Sequence, residues 1–193
     1  MVAKNRLEGR DLARIAVFAA LIVVLGAIIV PLPSGVPITG QTLGVMLAGI
    51  VLGSRRAPLA VLLVLALAAV GLPVLSGGRG GLGVFVGPSA GYLVGWVFGA
   101  LVIGLIAHSG HNRLSAWRAG LGAVVGGIVV VYLFGIPVQA LVTGVDLAPT
   151  ALSSLVFLPG DLLKAALATA LALALQRAYP PAFGASLSRL SPQ

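Results

Sequence analysis

Residues 88–108 read PSAGYLVGWVFGALVIGLIAH, a stretch without Asp, Glu, Lys or Arg. It is as long as the roughly 20 apolar residues that cross the hydrocarbon core of a bilayer as a helix. The rest of the chain is similar, since 59% of its 193 residues are hydrophobic and only 8% are charged. A single water-soluble core cannot hide so much apolar surface. We therefore predict an all-α, polytopic integral membrane protein, with residues 1–193 forming one domain in a lipid bilayer.

Apolar runs separated by glycine and proline predict where the other helices lie. We expect six transmembrane helices, at approximately 12–30, 40–53, 57–72, 88–108, 118–136 and 159–178, with a cytoplasmic tail at 179–193. The second and third helices are short for a bilayer. Short spans are tolerated where other helices shield their backbone or where they line a cavity. The pattern therefore indicates a pocket near the helix ends that long loops join.

The basic residues predict the orientation of these helices. With six spans, ten of the 12 Lys and Arg residues fall on one face, namely Lys4, Arg6, Arg10, Arg14, Arg55, Arg56, Arg113, Arg118, Arg177 and Arg189. Only Arg79 falls in an outside loop, and only Lys164 inside a span. Because short cytoplasmic loops are rich in Lys and Arg, both termini are expected in the cytoplasm. The net charge of +8 then reflects membrane topology, not binding of nucleic acid.

Residues 1–30 also fit a secretory signal peptide, because basic residues precede an apolar run. We favour a retained helix for two reasons. The run is followed by Pro31, Leu32 and Pro33 without an evident small-x-small cleavage site. Its removal would also leave an odd number of spans.

Several motifs for cofactor and metal chemistry fail in their context. Residues 78–83 fit G-x-G-x-x-G, but no strand-turn-helix unit surrounds them, and no acidic residue between 12 and 145 could hold a ribose. His108 and His111 have a spacing seen in metal sites, yet no carboxylate or thiolate accompanies them. The sequence has no cysteine and no P-loop, which excludes thiol chemistry and ATP hydrolysis of the usual kind. We expect no metal and no cofactor.

Small residues recur at every fourth position in four of the predicted helices, and such stripes allow close helix packing in membranes. The stripes are Gly91, Gly95 and Gly99; Gly122 and Gly126; Ala166, Ala170 and Ala174; and Ala16 and Ala20. Most should form contacts inside the bundle. The pair in the first helix follows basic residues at the inner end, so it could equally contact another membrane subunit.

Asp161 is the only carboxylate in the predicted spans, and Lys164 is the only ammonium. Charges inside a membrane are costly, so they are usually paired or functional. The i, i+3 spacing places both on one face of the last helix, in its first turn after Pro159. They could simply neutralise each other. Alternatively, they could present an acceptor and a donor to the N–H and C=O groups of an amide or urea.

Other polar residues are predicted at the same outer end, and they suggest the chemistry of a ligand. Thr39, Gln41 and Tyr92 would add hydroxyl, amide and aromatic contacts, and Arg79 would pair with a carboxylate. The glycine-rich loop at 73–91, which includes Gly83, would allow the backbone to approach a ligand closely. The implied ligand is small and amphipathic, with a urea-like or amide-like end and, where Arg79 is used, an anionic end.

Three classes of function remain open on these residues. A transport subunit that captures its substrate predicts binding without turnover, with ATP supplied by other chains. An intramembrane enzyme using Asp161 and Lys164 as acid and base usually needs a further carboxylate or histidine, which the spans do not provide. A purely structural subunit predicts that removing both charges together is tolerated. We favour the transport subunit.

Five blocks of sequence resemble the BioY family, the substrate-binding S components of energy-coupling factor (ECF) biotin transporters. They are residues 37–49 (PITGQTLGVMLAG), 71–74 (GLPV), 80–83 (GGLG), 87–92 (GPSAGY) and 157–164 (FLPGDLLK). The resemblance implies six helices with both ends inside, and a biotin pocket near the outer face capped by the loop between the first two helices. The pair of Asp161 and Lys164 would suit the ureido ring of biotin. A basic tail after Arg177 departs from the family pattern.

The resemblance also implies a location and partners. The protein would be a multi-pass protein of the bacterial cytoplasmic membrane, and not an enzyme. Ala16 and Ala20 match the A-x-x-x-A motif by which the family contacts the transmembrane T subunit, which couples to two ATPase subunits. An S component for another small vitamin is the alternative, beside the enzyme already considered.

Overall fold

The computed structural model of the protein describes residues 8–110 and 114–183. The predicted tail beyond 183, His111 and four of the basic residues used for orientation (Lys4, Arg6, Arg113 and Arg189) lie outside these ranges. The structure is predominantly helical. Its α-helices are α1 (Gly9–Leu25), α2 (Gln41–Ala69), α3 (Ala90–Ala107), α4 (Ala116–Val124), α5 (Val131–Thr143), α6 (Leu147–Ser154) and α7 (Leu158–Ala178).

The structure contains a small β hairpin in addition to the helices, which the all-α prediction did not include. Strand β1 (Ile29–Val30) pairs antiparallel with β2 (Ile38–Thr39), with Ile29 opposite Thr39 and Val30 opposite Ile38. The first helix ends at Leu25 and not at residue 30 as predicted, because β1 forms there. The prolines at 31, 33 and 37 disfavour a helix, and the loop turns at residues 33–35, where Gly35 has φ +76°. Short 3₁₀ turns at Leu82–Phe85, Leu155–Phe157 and Pro180–Ala182 complete the described secondary structure.

Helix α2 consists of two arms that fold back on each other at Gly53. This residue has φ +78° and ψ 178°, outside the helical region, and glycine adopts such a φ without steric cost. The Gln41 side chain at the start of α2 donates to the carbonyl of Val74, at 3.2 Å. A straight helix of this length would be about 43 Å long. The roughly 17 Å that the five residues after Ala69 can span would not bridge its ends. The arms 41–52 and 54–69 correspond to the predicted segments 40–53 and 57–72.

The fifth and sixth predicted helices are longer than the sequence indicated. Helices α4 and α5 are joined by a π-helical turn at Val125–Val130 and continue to Thr143, although Pro137 suggested an end at 136. Membrane helices tolerate proline because neighbouring groups and local π turns satisfy the freed backbone. Helix α6 begins at Leu147, where the sequence predicted a loop, and runs through a 3₁₀ turn into α7. The left-handed Gly144 makes the turn between α5 and α6.

Within the described residues, four helical stretches are long and apolar enough to cross a membrane. They are Gln41–Ala69, Ala90–Ala107, Ala116–Thr143 and Leu147–Ala178. Helix α1 is also apolar but has 17 residues. These lengths indicate a multi-pass membrane protein.

Glycine allows α3 to lie directly against the α4 and α5 segment. A Cβ atom on Gly91 would lie 2.3 Å from the carbonyl oxygen of Phe134, and one on Gly99 would lie 2.6 Å from that of Gly126. Larger residues would force these backbones apart. The glycine stripe of α3 and that of Gly122 in α4 and Gly126 in the π turn are therefore internal, as predicted.

The alanine stripe of α7 is exposed and is an exception to the expectation that most stripes are internal. Ala166, Ala170 and Ala174 are exposed, whereas the buried face of the helix carries Ala165, Ala168 and Ala172. A helix with alanine on both faces gives no sequence signal for which face is buried. In α1, Ala16 and Ala20 are exposed as well, with Ile15, Ala19 and Ile22 on the buried side.

One end of the bundle gathers the start of α1, the Gly53 turn and the end of the described chain. The Arg56 Nε lies 3.0 Å from Oδ1 of the buried Asp11, and Arg14 donates to the carbonyl of Pro181. At the same turn, His108 Nε2 lies 2.8 Å from the carbonyl oxygen of Ile50. The opposite end contains the β hairpin and a cavity beneath it.

Candidate functional site

A cavity with an empty volume of about 560 Å³, part of it open to solvent, lies beneath the β hairpin. Its walls come from the hairpin, the start of α2, the loop at 75–89, α3, the start of α5, the 3₁₀ turn at Leu155–Phe157 and α7. Six of the residues predicted from sequence line it together: Thr39, Gln41, Arg79, Tyr92, Asp161 and Lys164. Gly83 lies in a 3₁₀ turn outside the lining.

The charged pair lies at the α7 side of this cavity and is well hydrogen-bonded. The helix begins at Leu158, and Pro159 and Asp161 both lie in its first turn. The Lys164 Nζ lies 2.9 Å from Asp161 Oδ1 and donates to Thr42 Oγ1 at 3.0 Å. The Tyr132 hydroxyl donates to Asp161 Oδ2 at 2.8 Å. Asp161 is only 5% exposed, and these partners offset the cost of burying a carboxylate.

The pair retains hydrogen-bonding capacity after these contacts. An ammonium has three donors, and Lys164 uses two of them within the described part of the chain. A carboxylate has about four lone-pair sites, and Asp161 accepts one bond on each oxygen. A donor and acceptor sites therefore remain side by side at the cavity, which is the combination that an amide or urea requires.

Gln41 ties the loop after α2 to the start of the helix. Its Nε2 donates to the Val74 carbonyl, and its Oε1 accepts from the Ser76 backbone N–H at 3.0 Å and from the Ser76 hydroxyl at 3.1 Å. The Thr39 hydroxyl accepts from the Gln41 backbone N–H at 3.3 Å. These contacts position the cavity wall, while direct contacts of Thr39 and Gln41 with a ligand stay a prediction.

Arg79 is half-buried at the opposite wall. Its Nε donates to the carbonyl of Ser76 at 3.1 Å, and its Nη1 donates to the Ser89 hydroxyl at 3.3 Å. No ion pair among the residues of the structure's described ranges includes Arg79. A guanidinium has five donors, so several can serve an anionic group of a ligand.

Aromatic side chains form the remaining wall. Tyr92 meets Tyr132 edge-on, with ring centroids 6.3 Å apart, and meets Phe157 at 6.4 Å. Trp96 also lines the cavity. Such a surface suits the apolar part of a small ligand.

Sequence reasoning missed Thr42 and Tyr132, the hydrogen-bond partners of the charged pair. Thr42 follows Gln41 directly and belongs to the block used for the family resemblance, so its position carried a signal. Tyr132 lies in an apolar span without a motif, and only the packing of that span against α7 brings its hydroxyl to Asp161.

The family assignment rests on nearly the whole chain. The sequence model of the BioY family matches residues 2–181. The chain belongs to the BioY family. Among BioY proteins, it is 50% identical to the biotin transporter BioY of Rhizobium etli over 179 residues, which cover 89% of this chain and 95% of the relative. It is 53% identical to the biotin transporter BioY of Rhodobacter capsulatus over 166 residues, covering 80% and 87%.

A solved structure agrees with this assignment. The BioY fold described above matches a crystal structure of the S-component for biotin from an ECF-type ABC transporter with a TM-score of 0.83. The two chains are 31% identical, and the match covers 93% of this chain and all of the other. The relatives are transporters and not enzymes.

Proposed function

We propose that this protein is the S component of an ECF transporter, which captures biotin at the outer face of the membrane for ATP-driven uptake. One observation carries the proposal: in a BioY-family chain, a single cavity combines the charged pair of α7, an aromatic wall and a separate guanidinium. These groups suit recognition of a ligand, because their hydrogen bonds hold the pair in a fixed geometry and leave a donor and acceptor sites at the cavity.

The chemistry of biotin fits the arrangement in three places. The ureido N–H groups would donate to Asp161, and the ureido oxygen would accept from Lys164. Hydrogen bonds to charged groups contribute about 1.5–3 kcal/mol each. The apolar rings and chain would pack on Tyr92 and Trp96, and the carboxylate would reach Arg79. Thr39, Gln41 and the backbone near Gly83 would complete the enclosure.

We further propose six membrane crossings with both termini in the cytoplasm, in the cytoplasmic membrane of a bacterium. Two crossings come from the arms of α2, which are about 18 and 24 Å long and therefore shorter than a bilayer core. Support for the orientation comes from Arg14 and Arg56, which lie at the end opposite the cavity. Positive residues favour the cytoplasmic side, so the cavity would open outward.

The T subunit is proposed to contact the exposed face of α1 at Ala16 and Ala20, and two ATPase subunits would supply the energy. Support comes from the exposure of both alanines, since small residues allow a partner helix to approach closely in lipid. The chain itself has no P-loop, so ATP must be hydrolysed by other subunits.

Uptake in cells tests this function. A bacterial strain without its own biotin importer should accumulate labelled biotin when it expresses this chain together with T and ATPase subunits. It should not accumulate labelled thiamine or riboflavin. Uptake of one of those vitamins in place of biotin would change the assigned substrate, and no uptake of any of them would contradict the transport function.

A further inference from the structure

Tyr92, Gln139 and Ser154 form a buried polar cluster directly behind the aromatic wall of the cavity. The Tyr92 hydroxyl donates to Gln139 Oε1 at 2.7 Å and lies 3.3 Å from Ser154 Oγ. The three residues are 7%, 3% and 1% exposed and belong to α3, α5 and α6. A hydroxyl has a single proton, so the contact with Gln139 leaves Tyr92 no donor for a ligand.

The ring of Tyr92 occupies a position that several contacts define. One side packs on the backbone of α5, where a Cβ on Gly135 would lie 2.3 Å from the ring Cδ1. Its edge contacts reach Tyr132, whose hydroxyl donates to Asp161, and Phe157. The ring therefore lies between the polar cluster and Tyr132, the residue that donates a hydrogen bond to Asp161.

Packing alone does not explain this choice of residues. Phe, Leu and Ala at these positions would fill similar space without burying polar groups. In a membrane interior, a buried polar group that lacks its partner destabilises the fold. Apolar side chains at these positions would not carry that cost. What the hydrogen bond to Gln139 adds is a fixed direction for the hydroxyl, and with it one orientation of the ring. Ser154 Oγ, which donates to the Thr150 carbonyl at 2.8 Å, lies against the same hydroxyl and limits where it can move.

We propose that Gln139 and Ser154 are positioning residues of the binding site, which orient Tyr92 so that it offers only its aromatic face to the ligand. They do not line the cavity and act through the hydroxyl of Tyr92. Through the ring contact with Tyr132, they also keep the donor to Asp161 in place. This inference rests on the proposed function, because it concerns the affinity for biotin.

A double-mutant cycle on the biotin dissociation constant tests the inference, with wild type, Tyr92→Phe, Gln139→Leu and the double variant titrated in detergent. Each single variant should raise Kd about three- to tenfold, the value of one neutral hydrogen bond. The double variant should raise Kd no more than the larger single effect, because both remove the same constraint. Ser154→Ala should give a smaller increase, and it provides the same test if Gln139→Leu does not yield folded protein.

Two control variants separate positioning from general stability. Gln176→Leu removes an amide whose buried nitrogen has no hydrogen-bond partner within the described part of the chain. Thr169→Val removes a hydrogen bond of 2.8 Å to the Ala165 carbonyl, away from the cavity. Both should leave Kd unchanged, whatever their effect on Tm.

Each outcome of this experiment is decisive. Wild-type affinity in folded Gln139→Leu and Ser154→Ala would overturn the inference and assign the cluster a structural role. Effects of Tyr92→Phe and Gln139→Leu that multiply in the double variant would also overturn it. If the wild-type protein does not bind biotin, both the proposed function and the inference fail. If the wild-type protein binds biotin and only the variants behave differently from expectation, the inference alone fails.

Discussion

Removing the charges of Asp161 and Lys164 singly, and then together, separates a binding site from a structural ion pair. Lys164→Met leaves the carboxylate 5% exposed with the Tyr132 hydroxyl as its remaining described partner. Breaking a buried pair in this way costs about 3–5 kcal/mol. For a chain of this size the corresponding drop in Tm is roughly 6–20 °C. In Asp161→Asn with Lys164→Met, no charge is left unpaired, so most of this loss should be recovered.

Binding should respond differently from stability. The double variant loses both charge-assisted hydrogen bonds to the ureido group, worth about 3–6 kcal/mol together. The biotin Kd should therefore rise by about 10² to 10⁴. Asp161→Asn alone should already raise it tenfold or more.

Two assays on the same purified samples measure these effects. Thermal unfolding followed by the fluorescence of Trp96 and Trp117 gives Tm, and isothermal titration gives Kd. We expect the double variant to be nearly as stable as wild type and to have lost most of its affinity for biotin. If the double variant binds biotin with wild-type affinity, the pair is structural and the proposed roles of Asp161 and Lys164 are wrong.

Three further outcomes follow from other parts of the structure. Arg79→Gln should raise the Kd for biotin about tenfold in titrations, because the guanidinium makes one charged contact with the carboxylate. The Kd for biotin amide, which lacks the carboxylate, should not change. Ala16→Leu with Ala20→Leu should abolish uptake and keep the biotin Kd, since added bulk prevents a close helix contact at an exposed face. Asp11→Asn should lower stability by about 1–3 kcal/mol, measured by thermal unfolding, through loss of the Arg56 ion pair, without changing Kd at the far end of the bundle.

Each of these has a result that would count against it. Equal weakening of biotin and its amide by Arg79→Gln would show that Arg79 does not bind the carboxylate. For the α1 variant, Ala166→Leu with Ala170→Leu is a matched control on α7, since these alanines are also exposed at i, i+4. Loss of uptake in the control alone would place the docking face on α7. A changed Kd in Asp11→Asn would mean that the two ends of the bundle are coupled.

Apolar runs in the sequence indicate where helices lie. They do not indicate where a helix continues through a proline or through polar residues, because that depends on packing against neighbouring helices. The predicted segments 40–53 and 57–72 lie where the structure has the two arms of α2, on either side of Gly53. The end predicted at residue 136 was wrong because a proline rule learned from water-soluble helices does not hold where neighbouring helices satisfy the backbone. Helix α6 was missed because its serines, threonine and proline are typical of loops.

The candidate site shows the same division. Asp161 and Lys164 could be selected from sequence, since a rare charge in an apolar span is informative by itself. The hydroxyls of Thr42 and Tyr132 could not be ranked above other polar residues, because their roles depend on which helix faces α7. The exposed alanines of α7 make the same point, as a stripe of small residues does not reveal whether it faces the bundle or the lipid.

Isothermal titration of the purified protein with biotin tests the central claim most directly, with thiamine and riboflavin as comparison ligands. The account predicts tight, saturable binding of biotin with one site per chain and no binding of the other two vitamins. A folded, monodisperse sample that gives no heat with biotin, and none in a competition assay with labelled biotin, would contradict it.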